Sequence, residues 1–221
     1  MKEEKDKDCI SERLEGSLQT NRFISLEDMN EVRKIKPSIL LHSCCGPCST
    51  AVVEKLSGRF DVTIFFYNPN ITDRGEYDRR RKAQLEFIDQ YNDRVDAKDR
   101  IAYLEGPYEP RMFLAAAKGL EQEPEGGRRC VECFRLRLEK TAETARMSGF
   151  DTFETTLSVS PHKNFELINK IGMQLGVRYG LAFLCEDFKK QGGYQRSVEL
   201  SRAYRLYRQR YCGCCFSDTD G

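Results

Sequence analysis

Cysteine carries most of the chemistry that can be read from this chain. Ten cysteines occur among 221 residues. They gather as Cys44, Cys45 and Cys48, then Cys130 and Cys133, then Cys212, Cys214 and Cys215, with Cys9 and Cys185 standing alone. Thiolates are soft ligands for zinc, copper(I) and iron–sulfur centres, and they are also two-electron donors when a pair closes to a disulfide. Cys130-Val131-Glu132-Cys133 lets two sulfurs reach one centre across a single turn. With Cys44 and Cys45 it makes a four-sulfur set, suited to zinc or to an iron–sulfur cluster. Adjacent cysteines reach different irons of a cluster more easily than one small zinc ion, which favours the cluster. Cys48 can supply a ligand to a further metal. Cys212-Gly213-Cys214 is a different object: a Cys-x-Cys pair can close a small strained disulfide, the readily reduced kind. The same residues could instead complete the metal site.

The elements that must place these sulfurs follow from the apolar pattern. A short apolar run, 39–41, within a strand read over 38–43, stops at Cys44 and Cys45, Gly46-Pro47 turns the chain, and 49–56 reads as a helix with Pro47 near its first position. The first sulfurs therefore sit between a strand's carboxyl end and a helix's amino end, where partial positive charge favours thiolate. Residues 61–67 form a continuous β-branched and aromatic run, as in a buried parallel strand. The pattern then predicts a helix over 76–91, a strand over 101–104, a helix over 110–120 and a Gly/Pro-rich loop over 121–129. That loop delivers Cys130 to a long helix ending at Gly149. A strand over 151–157, a helix over 164–175, a strand over 181–184 and a helix over 194–211 complete the reading. Strands alternating with helices predict an α/β fold with a mostly parallel sheet covered on both faces.

Residues 1–36 are polar and charged and are expected to be an N-terminal extension, with one short helix begun by the capping-box-like Ser25-Leu26-Glu27-Asp28. Residues 37–221 are expected to form the catalytic domain, carrying the C-terminal Arg/Tyr-rich helix and a Cys-x-Cys tail. Thirty-six Lys and Arg balance 35 Asp and Glu, so net charge is silent about nucleic acid and local patterning must speak. The helix over 194–211 interleaves tyrosines with Arg196, Arg202, Arg205, Arg208 and Arg210, which suits phosphate contacts and base stacking, or an amphipathic helix with solvated arginines. Arg79-Arg80-Arg81-Lys82 is read as a solvated face that can also meet phosphates. No apolar stretch approaches the length of a membrane helix and the amino terminus lacks a signal-peptide core, so a cytoplasmic protein without membrane association is expected. In a reducing compartment, grouped cysteines point to metal or redox work rather than structural disulfides.

Four separated stretches then resemble one family in the right order: Leu41-His42-Ser43-Cys44-Cys45-Gly46-Pro47-Cys48-Ser49, Cys130-Val131-Glu132-Cys133, Thr155-Thr156-Leu157 with Ser160-Pro161-His162-Lys163-Asn164, and Leu206-Tyr207-Arg208-Gln209-Arg210-Tyr211-Cys212-Gly213-Cys214. Together they look like the epoxyqueuosine reductase QueH family, over about residues 38–217. The resemblance implies a nucleotide α-hydrolase-like (HUP) fold related to the PP-loop enzymes, with the cysteine turn in place of the phosphate loop. It implies reduction of epoxyqueuosine to queuosine at the wobble position of tRNA, the last step of that modification. It places 4Fe–4S cluster ligands on Cys44, Cys45, Cys130 and Cys133 and a redox-active disulfide on Cys212 and Cys214. An additional iron and an unidentified electron donor accompany this reading. Asp187, just past the last strand, is a candidate oxygen ligand or proton donor. Three other readings stand beside it: a PP-loop ATP enzyme, which the missing phosphate loop disfavours; a zinc-stapled RNA-binding module without catalysis, which leaves the Cys-x-Cys pair without a role; and an iron–sulfur disulfide reductase acting on a protein.

Overall fold

The computed structural model describes residues 36–217. Cys9 and the helix expected at Ser25 lie outside the described residues. Five parallel strands form one sheet in the order β3-β2-β1-β4-β5. They are β1 (Ser38–His42), β2 (Asp61–Phe66), β3 (Ala102–Glu105), β4 (Thr152–Thr155) and β5 (Ala182–Phe183). Helices α1 (Gly46–Leu56), α2 (Arg74–Asn92), α3 (Pro110–Ala116), α4 (Arg128–Met147), α5 (Phe165–Tyr179) and α6 (Gly193–Ala203) connect and cover them. This is the expected α/β architecture, and among the described residues no helix is long and apolar enough to cross a membrane.

The two faces of the sheet follow from the period of two along β1. Ile39 and Leu41 pack with Val62, Ile64, Val52, Leu56 and Phe87 into the core beneath α1 and α2. Leu40, one residue out of phase, packs with Phe65, Phe153, Leu138 and Ile168 into the core beneath α4 and α5. Strand β1 pairs β2 on one side and β4 on the other, with Ile39 opposite Val62 and Thr152. Chain order reverses there, so the connections leaving β1 and β4 diverge to opposite faces and leave a crevice at their carboxyl ends.

The last helix is shorter than its tyrosine spacing predicts. It ends at Ala203, and Arg205 takes the left-handed conformation, φ 54°. The reversal lets Tyr204 meet Phe87 edge-on at 5.2 Å and sinks Leu206 into the first core. A helix continued to Tyr211 would keep that register but carry Leu206 away from the sheet. Residues 204–217 instead run without regular structure back over the crevice.

Candidate functional site

The turn after β1 is built to hold sulfur. Cys45, extended at φ −174°, caps α1, and Pro47 occupies its first turn. The helix can start this close to α2 only because residue 46 is glycine: a Cβ there would overlap the Ala83 carbonyl. Beneath the turn, the hydroxyls of Ser43 and Ser49 donate to Gln84 Oε1 at 2.6 and 2.8 Å, and Asn68 Nδ2 donates to the Ser43 carbonyl at 2.9 Å. Cys44, Cys45 and Cys48 present their sulfurs within 4.8 Å of one another. Three convergent soft donors at this spacing can bind a metal ion. In the metal-free thiols, hydrogen bonds from Cys45 and Cys48 push Cys44 well below the usual thiol range, aided by the charges of Lys163 and Arg137. Cys45, as donor, is raised to about 11.

The other sulfurs arrive from farther along the chain. Cys130 and Cys133 sit in the first turns of α4 and line a small cavity with Cys212, Cys214, His162 and Lys163. Burial raises Cys133 to about 11. Cys212 is lowered to about 5, first by a hydrogen bond from Cys214 and then by the charges of Lys163 and Arg137, against the cost of burial. Cys214, the donor, is raised. The pair is thus a thiolate beside a thiol. Cys212 also lines a larger cavity of about 750 Å³, together with Cys44, Cys48, Arg80, Lys163, Tyr194, Arg208, Arg210 and Tyr211. The sulfur groups of the sequence are therefore brought to two adjoining cavities that share Cys212, Lys163, His162 and Glu125. Cys185 and Cys215 are exposed. Asp187 is not brought to either cavity; its carboxylate accepts from the Lys189 backbone N–H at 3.3 Å and steadies the turn after β5.

Two cations beside the sulfurs, Arg137 and Lys163, have no carboxylate partner among the described residues. Arg137 is 1% exposed, and its side chain donates to Asn68 Oδ1 at 2.8 Å and contacts His42 Nε2 at 3.3 Å. Among the described residues no carboxylate pairs with it or with Lys163. A guanidinium buried without a counter-ion costs several kcal/mol, on the order given by ion desolvation, so the balancing charge must be sulfur. Lys163 fits the same account: burial opposes its charge, but the Cys44 and Cys212 thiolates outweigh that and raise its pKa. His42, buried and beside Arg137, is lowered to about 3 and stays neutral. A strongly anionic group bound by thiolates therefore suits this surrounding. The sequence reading gave His42, Arg137, Lys163 and Gln209 no role. Arg137 had a signal, lying one helical turn beyond Cys133. Gln209 Nε2 donates to Cys45 Sγ at 3.0 Å across the crevice, a pairing with no local signal.

Of the basic run on α2 only Arg80 is buried; Arg79, Arg81 and Lys82 keep exposed side chains. Arg80 pairs with Glu76 at 2.6 Å, Arg79 with Glu76 at 2.8 Å and Arg81 with Glu105 at 2.7 Å. Only Lys82 keeps a loose partner, Glu86 at 3.8 Å.

Comparison with known proteins adds an independent finding. Residues 39–220 match the family described as Epoxyqueuosine reductase QueH. The chain is 46% identical over 184 residues to the Epoxyqueuosine reductase QueH of Staphylococcus epidermidis, covering 82% of this chain and 76% of that protein. It is 43% identical over 187 residues to that of Streptococcus pyogenes, covering 85% and 72%. The relative from Thermotoga maritima is 38% identical over 183 residues, covering 81% and 90%.

Proposed function

Because the chain belongs to the epoxyqueuosine reductase QueH family and reduces epoxyqueuosine to queuosine in tRNA, we propose that its sulfurs divide this reaction between a metal centre and a dithiol. Cys44, Cys45, Cys130 and Cys133 hold an iron–sulfur cluster of the 4Fe–4S type, with Cys48 available to a further iron. Such a centre supplies electron relay and Lewis acidity toward the epoxide oxygen. The support is the donor set itself and the two cations beside it, Arg137 and Lys163, that pair with no carboxylate among the described residues. Thiol ligands of this kind persist in a reducing cytoplasm.

Cys212 and Cys214 are the two-electron source. The Cys212 thiolate and the Cys214 thiol give up two electrons and one proton as the S–S bond forms, and solvent water supplies the second proton. Both carbon–oxygen bonds of the epoxide break, the carbon–carbon double bond forms, and the oxygen leaves with the two protons as water. An outside electron donor then returns the disulfide to the dithiol. The observation that carries this reading is Cys212 itself, a sulfur lining both cavities. The modified base enters the larger one, where Tyr194 and Tyr211 offer stacking faces and Arg208 and Arg210 meet the flanking phosphates. Lys163 holds the site's thiolates ionised and faces the position where negative oxygen develops.

One experiment tests the division. The protein is reconstituted anaerobically with iron and sulfide, reduced with dithionite, freed of excess reductant and mixed with epoxyqueuosine-bearing tRNA. About one queuosine per protein is expected, with Cys212 and Cys214 joined in the mass map and iron retained, since a dithiol holds two electrons. Product formed while both thiols stay free would overturn the dithiol's role. Stoichiometric zinc, with no broad visible absorption after reconstitution, would overturn the cluster.

A further inference from the structure

The stretch that carries Cys212 and Cys214 has neither helix nor strand to hold it. Its shape comes from one side chain of α2. Arg80 is 2% exposed and Glu76, one turn earlier, is wholly buried. Arg80 Nε donates to Glu76 Oε1 at 2.6 Å. The two remaining arms of its fork leave the helix: Nη1 donates to the Cys212 carbonyl at 2.9 Å and Nη2 to the Tyr211 carbonyl at 3.0 Å. Glu76 Oε2 accepts from the Tyr207 hydroxyl at 2.8 Å, fixing the same stretch five residues upstream. Thr72 N donates to the Gly213 carbonyl at 3.2 Å. Gly213 itself is at φ 101°, and a Cβ there would come within 2.9 Å of Arg80 Nη2.

This arrangement exceeds what α2 needs for its own stability. A buried ion pair is replaceable by apolar side chains of similar volume at little or no loss of stability, whereas a planar fork reading two successive carbonyls has no apolar substitute. We propose that Arg80, oriented by Glu76, is the positioning residue that sets the geometry of the Cys212–Cys214 pair. The inference rests on the redox role given above to those cysteines. The guanidinium fixes the backbone on one side of Gly213, the Thr72 bond fixes it on the other, and the two sulfurs are thereby held where they can meet over a single intervening residue. Arg80 thus serves the thiols rather than the RNA backbone.

The test compares Arg80→Met, Arg80→Lys and Gly213→Ala in reconstituted full-length protein. Iron content, kcat, KM for tRNA and the midpoint potential of the Cys212–Cys214 couple are measured, with Cys212→Ala alongside. Arg80→Met is expected to lower kcat by about tenfold to a hundredfold, the range for misplacing reacting groups by an ångström, and to shift the potential, with iron and KM unchanged. Arg80→Lys, which keeps the charge but not the fork, is expected to leave kcat low. Gly213→Ala reaches the same contact from the other side, so it gives the same signature if Arg80→Met fails to fold. Wild-type kcat and potential in Arg80→Met and Gly213→Ala, beside an inactive Cys212→Ala, would overturn the inference while leaving the redox role intact. A rise in KM at constant kcat would make Arg80 a phosphate contact and overturn it as well. A fully active Cys212→Ala would remove the redox role itself, a separate result.

Discussion

The two cysteine turns of this protein are held in place by opposite means. Cys44, Cys45 and Cys48 belong to a strand-to-helix junction whose backbone is fixed by β1, by the start of α1 and by buried hydroxyls. Cys212 and Cys214 lie on an irregular stretch whose carbonyls are held by the side chains of Asn70 and Arg80 and by the backbone N–H of Thr72. A metal centre needs ligands that do not move, and secondary structure supplies that. A dithiol must change bonding at each turnover, and a backbone clamped through side-chain hydrogen bonds tolerates small shifts that a helix terminus would resist.

The contrast is sharpest if each turn is removed in turn. Alanine at Cys44 or Cys45 is expected to strip or convert the cluster, seen as loss of iron and of visible absorption. Alanine at Cys212 or Cys214 is expected to abolish multiple turnover with iron content unchanged. Loss of iron in the second pair would merge the two turns into one metal site. A smaller effect separates their relations to RNA. Arg208→Ala and Arg210→Ala, on the irregular stretch, should each weaken tRNA binding and lower the salt-dependence slope by roughly 0.7–0.9, the value of about one phosphate contact. Arg81→Ala, whose partner is Glu105, should leave the slope where it was. Filter binding at several salt concentrations distinguishes them.

The smallest effect is one of pH. In metal-free protein the folded state favours the Cys212 thiolate, with its pKa near 5. An unfolded thiol titrates near 8.5. Its alkylation rate should therefore be level from about pH 6 upward and should fall as pH drops through 5. Cys133, raised to about 11 by burial, should stay unreactive at neutral pH. The stability from the Cys212 shift is likewise present above the unfolded pKa and lost as pH falls toward 5. Alkylation profiles read by mass spectrometry check both thiols.

The first turn was legible because its cause is local. Gly46, Pro47 and the apolar run before them specify a strand, a turn and a helix start within a dozen residues, and the sheet followed from the same alternation. The second was misread in part. Tyr204, Tyr207 and Tyr211 keep helical spacing, yet Tyr204 and Leu206 both bury against the first core and Arg205 turns the chain to allow it. The solvated reading of the basic run holds for Arg79, Arg81 and Lys82 and fails at Arg80, where Glu76 one turn earlier was the available sign. The bond from Arg80 to Cys212 spans most of the chain, and no local pattern announces it. Asp187 was chosen for its place after the last strand, and the turn it steadies explains it without chemistry at the sulfurs.

The position of β1 has a consequence for how the protein comes into being on the ribosome. Its partner β2 follows at once, but β4, which closes its other edge, is made only after residue 152. Chains fold domain-wise as they emerge, amino-terminal parts first. The central strand must therefore wait with one edge unpaired while the Cys130–Cys133 helix is still being synthesised. The four cysteines assigned to the cluster are all translated before Cys212 and Cys214. Iron offered to the emerging chain would thus meet the sulfurs proposed for the cluster before those proposed for the redox pair.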